Sequence, residues 1–292
     1  MNEKKDVKNI KELLGSGKTI ISLCCHDALS ARIIEMAGFP FVMLSGFGYS
    51  GSMLAAPDFG LLTQTEIVRM AGHVSRAVSI PVMVDGDTGY GGPINVIRSV
   101  KELEAVGAKG MMLEDQVWPK RCGHMVGKQV VPMEEYEQKL LAALEARSDP
   151  DSFSILARTD ALGPLGMDEA IKRANRYYEL GADQIFVEAP GSKEEYRIIR
   201  ENVPDAPLVA NMIEGGLSPI LPLEEFEELG YQIVGYPLTT IFAAAKAIKD
   251  AVAELKTKGH TKDYQDNLAT FEEFTRIVRL PEFYDLEQKY SV

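Results

Sequence analysis

Short apolar runs alternate along this chain with longer segments of helical period. The runs are continuous and rich in β-branched residues, which is typical of parallel strands buried on both faces. They lie at residues 19–25, 41–46, 81–87, 110–115, 154–160, 184–189, 207–212 and 232–237. The stretches between them, such as INVIRSVKELEAVG and MDEAIKRANRYYELG, are amphipathic and end in Gly, the residue that commonly ends a helix. The pattern therefore predicts eight strand–helix units.

Eight such units in about 250 residues match an α/β fold, the (β/α)8 TIM barrel. The alternative is an open, doubly wound sheet. Eight is the number at which a parallel barrel closes, and no GxGxxG motif follows the first run, so we favour the barrel. We expect a single barrel domain over residues 1–292 with a C-terminal helical extension from about 241 to 292.

The composition of the chain argues against binding to nucleic acid or to a membrane. The 292 residues include 31 basic and 43 acidic side chains, for a net charge of −12, so no basic excess exists to neutralise nucleic acid or an anionic membrane. No apolar run reaches the roughly 18 residues of a membrane span. The charged N-terminal segment lacks the apolar core of a signal peptide, and three cysteines are too few for a disulfide scaffold. We expect a cytoplasmic protein that binds a small molecule.

Polar side chains end seven of the eight runs. In a barrel these ends meet at one mouth, where the active sites of this fold lie. The residues concerned are His26, Asp27, Ser45, Asp85, Asp87, Glu114, Asp115, Arg158, Asp160, Glu188 and Asn211. Some could instead cap the helices that follow.

Asp85 and Asp87 are two residues apart at the end of the third run. The two-residue period of a strand places both side chains on one face, where two like charges repel unless a cation lies between them. Mg2+ typically binds one or two carboxylates and keeps several waters, and Glu114 could hold one such water. The alternative is a pair of helix caps or arginine partners.

The segment VWPKRCGHMVGKQVV, residues 117–131, places Cys122 beside Lys120, Arg121 and His124. Neighbouring cations lower the pKa of a thiol and make it a usable acid, base or nucleophile. Glycines on either side of His124 suit an active-site lid. A buried, inert cysteine and a Cys–His zinc site are the alternatives, and the sequence lacks further nearby ligands for zinc.

Arg158, at the end of the fifth run, has the planar fork that binds a carboxylate through two hydrogen bonds. It could equally bridge to Glu188 or Asp160. His26 suits a hydrogen-bonding role at a strand end better than metal ligation.

The KRCGH motif at 120–124 occurs together with VDGDTGYGG, LEDQ, ARTDA, IFVEAP and ANMIEGG. With these motifs, residues 10 to 250 resemble the isocitrate lyase/phosphoenolpyruvate mutase superfamily. The resemblance implies a barrel whose eighth helix is exchanged between subunits, a homotetramer of such dimers, Mg2+ (or Mn2+) as cofactor, and an α-hydroxy or α-keto acid substrate. The cysteine marks the lyase branch, since the phosphonate mutases lack it.

The resemblance also implies roles for individual residues. Metal binding falls to Asp85 and Asp87, with Asp58 and Glu114 acting through water. Substrate binding falls to Ser45, Gly46, Phe47, Gly123, Glu188, Asn211 and Pro237. The residues that the resemblance places in catalysis are Lys120, Cys122, His124 and Arg158, with Cys122 as the general acid.

Departures from the tricarboxylate lyases indicate the substrate. Phe242 stands where methylisocitrate lyase-like sequences have an arginine for a third carboxylate, and Ile213 replaces a threonine donor. An unpaired buried carboxylate costs several kcal/mol, so we expect a methylated dicarboxylate instead. The chain resembles the lyases that split 2,3-dimethylmalate into pyruvate and propionate. The alternatives are 2-methylisocitrate lyase, oxaloacetate hydrolase, in which a serine would replace Pro237, and a non-catalytic binding barrel.

A second departure concerns the base. Isocitrate-type lyases place a tyrosine two residues before the serine of the second strand motif, and here that position is Met43. Tyr49, His26 or a metal-bound hydroxide could remove the hydroxyl proton in its place.

Overall fold

The computed structural model describes residues 9–291 of the chain. These residues belong to two compact units, Met1–Thr240 and Ile241–Val292. The first unit contains all eight strands and the candidate site. The second unit is helical.

The eight strands are parallel and close into a barrel in sequence order. They are β1 (Ile20–Cys25), β2 (Val42–Leu44), β3 (Val82–Asp85), β4 (Gly110–Glu114), β5 (Ser154–Thr159), β6 (Gln184–Val187), β7 (Leu208–Asn211) and β8 (Ile233–Tyr236). Closure occurs where β1 pairs with β8, with Ile20 opposite Ile233. The predicted (β/α)8 barrel is confirmed, and each strand lies within its predicted run.

Ten helices belong to the barrel unit as described. They are α1 (Ile10–Leu14), α2 (Ala28–Met36), α3 (Gly46–Leu54), α4 (Gln64–Ala77), α5 (Pro93–Ala105), α6 (Met133–Ala146), α7 (Leu162–Leu165), α8 (Met167–Glu179), α9 (Lys193–Asn202) and α10 (Leu223–Leu229). Local signals set several starts: Asp27 and Thr63 each form a capping box with the residue three positions later.

The apolar core has two layers. The larger cluster lies between the strands and the surrounding helices, whereas a smaller one fills the barrel interior. Ile10 and Leu13 of α1 belong to the interior cluster together with Met83 and Phe186. Because α1 packs against this interior layer, the functional groups of the barrel are left to the opposite, C-terminal mouth.

Helix α11 (Thr239–Lys258) begins two residues before the second unit and continues into it. After α11 come a 3-10 turn (Lys262–Asn267), α12 (Phe271–Ile277) and α13 (Leu280–Tyr290). None of the residues in α11, α12 and α13 is buried, although the helices include large apolar side chains such as Ile248 and Phe271. No helix within residues 9–291 combines the length and apolar character needed to cross a membrane.

Candidate active site

A cavity of about 60 Å³ lies at the C-terminal mouth of the barrel. The sequence-predicted residues that line it are Ser45, Phe47, Asp58, Asp85, Cys122, Gly123, Arg158, Glu188, Asn211 and Pro237. The other predicted residues each contact a member of that set, and they are Gly46, Asp87, Glu114, Lys120 and His124. The structure therefore brings all fifteen predicted residues to one place.

One wall of the cavity is apolar. It includes side chains that sequence reasoning did not select, among them Met112, Leu156, Phe186, Val209 and Leu238. Four of them lie two residues before a predicted polar residue, namely Met112, Leu156, Phe186 and Val209. The two-residue period of a strand places both members of each pair on the inward face, and this is the signal that could have identified them. A cavity of this composition suits a small acid that carries methyl groups.

The residues that follow β2, Ser45 to Phe47, reach the site at the start of helix α3. Ser45 caps this helix, with its Oγ accepting a hydrogen bond from Gly48 N–H at 3.1 Å. The Gly46 N–H donates to Asp85 Oδ2 at 3.2 Å, and a Cβ on Gly46 would lie 2.9 Å from that oxygen. Glycine is needed here because the backbone approaches the carboxylate closely. The N–H groups at a helix start favour a negatively charged ligand.

Asp85 and Asp87 are neighbours, but not through strand alternation. Asp85 is the last residue of β3, and Asp87 follows with a positive φ of 47°. In this turn the Asp87 N–H donates to Asp85 Oδ1 at 3.2 Å. The prediction that Asp85 and Asp87 lie close together is therefore correct, but a tight turn with a positive φ at Asp87 brings them together, and strand geometry does not.

The ammonium group of Lys120 lies between two acidic side chains. Its Nζ is 2.6 Å from Asp58 Oδ1 and 2.7 Å from Asp87 Oδ1, and the lysine side chain is 3% exposed. Burial raises the pKa of Asp87 to about 7, Lys120 opposes that rise, and the nearby Asp85 and Asp58 add to it. Several carboxylates buried together require compensating positive charge.

The described residues contain no group of three or more Cys, His, Asp or Glu side chains arranged to bind a metal. Magnesium needs fewer, since it commonly takes one or two carboxylates and fills its shell with water. Glu114 is 1% exposed, and neither of its carboxylate oxygens accepts a hydrogen bond from the described residues. Arg158 Nη1 approaches Glu114 Oε2 to 3.4 Å without forming a hydrogen bond. Buried carboxylate oxygens without hydrogen bonds, near Asp85 and Asp87, fit a hydrated divalent cation.

Arg158 is the centre of a buried ion cluster. Its Nε and Nη2 donate to the two carboxylate oxygens of Asp160 at 2.8 and 3.0 Å. Its Nε is also 3.3 Å from Glu188 Oε2, and its Nη1 is 3.4 Å from Glu114 Oε2. Burial opposes the guanidinium charge, but the three carboxylates raise its pKa well above the usual range. The bridges to Asp160 and Glu188 are thus both present, and Arg158 still faces the cavity.

Residues 116–131 fold over the mouth as a lid. Its two ends pair through one antiparallel bridge between Gln116 and Val130. Val117 N–H donates to Gln129 O at 2.8 Å, and Val131 N–H donates to Asp115 O at 2.9 Å. Further along, Cys122 N–H donates to Asp58 O at 3.2 Å. The lid is therefore closed onto the barrel.

Two lid residues contact the sixth strand end. His124 Nε2 is 3.0 Å from Glu188 Oε1, and His124 Nδ1 accepts a hydrogen bond from Leu217 N–H at 2.8 Å. A neutral His124 ring therefore carries its proton on Nε2, facing the carboxylate. Gly123 approaches Glu188 so closely that a Cβ at this position would overlap the carboxyl group.

The thiol of Cys122 differs from the sequence-based expectation. Its pKa is raised to about 11, chiefly by burial, and the carboxylates of Glu188 and Asp58 add to the rise. The expected lowering by adjacent cations is absent because Lys120 pairs with carboxylates and the Arg121 guanidinium turns to Val126 O. A protonated thiol at neutral pH suits a general acid and not a nucleophile.

Tyr49 and His26, the two side chains proposed as the base, both lie outside the cavity lining. Tyr49 belongs to the outer core cluster, and the charges that act on its hydroxyl come from Glu66 and Arg69 of α4. The His26 ring is buried, with Nδ1 3.4 Å from Thr240 Oγ1. Neither residue lines the cavity.

Tyr90, which sequence reasoning missed, has a buried hydroxyl with no hydrogen-bond partner among the described residues. Burial, followed by the charges of Asp87 and Asp85, raises its pKa well above 10. Its place inside the DGDTGYGG motif is the signal that could have identified it.

The sequence of this chain is similar to those of known proteins. The phosphoenolpyruvate phosphomutase family profile matches residues 10–256. The petal death protein of Dianthus caryophyllus is 48% identical over 91% of this chain and 83% of its own length. The 2,3-dimethylmalate lyase of Eubacterium barkeri is 44% identical over 97% of both chains, and a 2-methylisocitrate lyase of Aeropyrum pernix is 41% identical over 96% and 88%.

Solved structures of the same kinds of enzyme have a similar fold. Oxaloacetate acetylhydrolase in complex with 3,3-difluorooxalacetate has a TM-score of 0.92 at 31% identity, covering 98% of this chain and 97% of that one. A 2,3-dimethylmalate lyase gives 0.90 at 31% identity, covering 96% and 93%. Phosphonopyruvate hydrolase in complex with oxalate and Mg2+ gives 0.87 at 30% identity, covering 96% and 97%.

Proposed function

Since the chain belongs to the phosphoenolpyruvate mutase/isocitrate lyase superfamily, we propose that it is a carbon–carbon lyase that cleaves 2,3-dimethylmalate into pyruvate and propionate. The observation that carries this proposal is the cavity itself. A protonated thiol on the lid, Cys122, shares a small closed space with the Arg158 guanidinium and the Asp85 carboxylate.

The shape and polarity of the cavity support a methylated dicarboxylate. Ile213 lines the cavity at the position where tricarboxylate lyases have a threonine, and Met43 adds further apolar surface. Buried apolar side chains favour methyl groups and offer no partner for a third carboxylate, whose burial would cost several kcal/mol. Phe242 also stands where methylisocitrate lyase-like sequences have an arginine, so the cation that would pair with a third carboxylate is missing.

Magnesium is the proposed cofactor, held by Asp85 and Asp87, with Asp58 and Glu114 acting through water. When bound, it would supply Lewis-acid stabilisation of the substrate hydroxyl and carboxylate oxygens. The buried oxygens of Glu114 support this assignment. Mn2+ would suit the same oxygen donors. Phosphonopyruvate hydrolase has been solved with oxalate and Mg2+, which makes oxalate a suitable probe.

The side chains of this chain have separate tasks in the proposed cleavage. The N–H groups that begin α3, after Ser45, hold the carboxylate next to the hydroxyl. Arg158, with Glu188 and Asn211 beside it, binds the second carboxylate. Pro237 and Gly123 shape the remaining wall.

The bond changes then follow. A base removes the proton of the 2-hydroxyl, the C2–O bond becomes a carbonyl, and the C2–C3 bond breaks with its electron pair left on C3. Cys122 transfers its Sγ proton to C3, giving propionate, while C2 becomes the carbonyl carbon of pyruvate. Arg158 and His124 stabilise the negative charge that develops on the C3 fragment. The closed lid excludes water, so that the carbanion is not protonated by solvent.

We propose a homotetramer built from dimers that exchange helix α11. Helix α2 of the barrel exposes Leu29, Ile33 and Met36, each at 40% or more of its surface. Helix α11 exposes Ile248, Val252 and Leu255 in a similar way. Apolar faces of this kind indicate a protein partner, and light scattering of the full chain should give four times the chain mass.

A pyruvate-release assay tests the function. The enzyme with MgCl2 is offered 2,3-dimethylmalate, 2-methylisocitrate and oxaloacetate, with a Cys122→Ala variant as control. We expect pyruvate from the first compound and a loss of about a hundredfold or more in kcat for the variant, with modest loss of binding. Preferred turnover of 2-methylisocitrate would contradict the substrate, and full activity of the variant would remove Cys122 from its role.

Oxaloacetate hydrolysis is the second candidate, since the structure of oxaloacetate acetylhydrolase superposes on 98% of this chain with a TM-score of 0.92. Pro237 lines the cavity where that activity would call for a serine, and we therefore rank it lower. Release of oxalate and acetate from oxaloacetate would support it. Binding of a dicarboxylate without turnover of any of the three compounds would indicate a non-catalytic barrel.

A further inference from the structure

Lys128, near the C-terminal end of the lid, makes a buried ion pair with the barrel. Its Nζ lies 2.9 Å from Asp160 Oδ1. The lysine side chain is 6% exposed, and the aspartate side chain is 0% exposed. Asp160 follows β5 of the barrel, 32 positions along the chain, so the pair ties the lid to the barrel. A solvent-exposed pair would contribute little, but a pair this deeply buried is sensitive to the loss of either member.

Asp160 is also the main partner of Arg158. The oxygen that faces Lys128, Oδ1, accepts a hydrogen bond from Arg158 Nη2 at 3.0 Å, while Oδ2 accepts from Nε at 2.8 Å. One carboxylate is therefore divided between a guanidinium of the barrel and an ammonium of the lid. The Lys128 ammonium therefore offsets part of the negative charge that Asp160 presents to the guanidinium.

The lid contacts the other carboxylate beside Arg158 as well. Glu188 lies 3.3 Å from Arg158 Nε, and His124 Nε2 lies 3.0 Å from the other oxygen of Glu188. His124 and Lys128 are four residues apart in the lid. A closed lid therefore engages both carboxylates that flank the guanidinium.

The charge balance shows why this matters for an acidic substrate. Three buried carboxylates, those of Glu114, Asp160 and Glu188, lie within 3.4 Å of the single guanidinium. Without the lid, Asp160 and Glu188 alone carry more negative charge than Arg158 carries positive charge. Such a site attracts a carboxylate weakly, because like charges in a buried site repel strongly.

We propose that Lys128 is a positioning residue that prepares Arg158 for the substrate carboxylate when the lid closes. It neutralises Asp160, keeps the guanidinium fork directed at the cavity, and so makes lid closure and acid binding favour one another. The inference rests on the proposed function in so far as a carboxylate occupies the Arg158 subsite. Lys128 does not touch the substrate and acts only through Asp160 and Arg158.

The chain contains one tryptophan, and it reports on the lid. Trp118 lies at the start of the lid, where its ring packs against Gly60, so that a Cβ on Gly60 would lie 2.7 Å from the ring. Trp118 is 46% exposed with the lid closed, and opening of the lid should add the ring face that Gly60 covers to the surface that acrylamide reaches. Quenching of its fluorescence therefore measures closure without substrate and without turnover.

Three variants of the full-length protein test the proposal. Lys128→Met keeps the length of the side chain and removes its charge, and Lys128→Arg keeps the charge. Lys172→Met removes a lysine whose side chain is 64% exposed and lies 3.7 Å from Glu169, and it serves as the control. Oxalate affinity in saturating MgCl2, acrylamide quenching, and the Tm of the unliganded protein are measured for each.

We expect Lys128→Met to weaken oxalate binding by about ten- to a hundredfold and to increase quenching of Trp118, because coupling of this kind typically spans that range. Lys128→Arg should recover most of the affinity, and the control should match the wild type. The unliganded Tm should change little, because Asp160 keeps its two hydrogen bonds from Arg158 and lid opening is a local event.

Oxalate affinity and quenching equal to the wild type in Lys128→Met would overturn the proposal. A lower Tm with unchanged oxalate affinity would also overturn it, because it would indicate a purely structural ion pair. The quenching measurement needs no ligand, so it still decides the role of Lys128 if the pyruvate-release assay disproves the proposed reaction.

Discussion

Gly123 of the lid lies directly against the carboxyl group of Glu188, with no room for even a methyl group between them. This contact closes the cavity above the barrel, and it places the adjacent Cys122 at the cavity wall. Glycine at this position is thus a condition for closure and not only a source of flexibility.

Gly123→Ala should hold the lid partly open. Since the added Cβ would overlap Glu188, we expect the second-order rate constant kcat/KM to fall by about a hundredfold, the loss that displacement of about 1 Å can cause at an active site. Steady-state kinetics of pyruvate release measure the effect. Gly51→Ala is the control, because a Cβ there meets nothing within 4 Å. Wild-type kcat/KM in Gly123→Ala would show that closure does not need this contact.

The Cys122 thiol should react with iodoacetamide slowly at neutral pH. Its pKa is raised to about 11, so the thiolate fraction increases up to that pH instead of levelling off near 9. The rate of alkylation, followed by mass spectrometry from pH 7 to 10.5, should still be rising at the highest pH. Cys122→Ala is the control, since Cys24 and Cys25 are buried. A plateau below pH 9 would contradict the effect of burial on this thiol.

Arg158→Lys should weaken substrate binding although the positive charge is kept. An ammonium cannot reproduce the two hydrogen bonds to Asp160 and still present a fork to the substrate. We expect a loss of about 2–3 kcal/mol in oxalate binding, measured by calorimetry in MgCl2. Arg98→Lys, at an exposed site, is the matched control. Equal affinities for the two variants would remove Arg158 from the carboxylate subsite.

The double variant Ile213→Thr/Phe242→Arg should gain activity toward a tricarboxylic acid. Threonine adds a hydrogen-bond donor to the cavity wall. Arginine at position 242 supplies the cation for a third carboxylate that the resemblance to tricarboxylate lyases implies there. We expect the ratio of kcat/KM for 2-methylisocitrate over 2,3-dimethylmalate to rise by about tenfold or more, which corresponds to one charge-assisted hydrogen bond. An unchanged ratio would mean that other residues select the substrate.

Local sequence determined the barrel and most of the site. The period of the apolar runs reflects strands buried on both faces, which depends only on neighbouring residues. Because parallel strands in a closed barrel all end at one mouth, polar residues such as Asp85, Arg158 and Glu188 had to converge once the strands were identified. The KRCGH motif needed only its own residues to be recognised as part of the lid.

Tertiary structure decided how those groups are paired and which protons they hold. The sequence placed Lys120 and Arg121 beside the Cys122 thiol, whereas the fold turns both cations away and leaves burial to raise its pKa. The pairing of Lys128 with Asp160, 32 residues away, had no local signal at all. Charge interactions depend on distance and burial across the folded chain, and adjacency in sequence fixes neither of them.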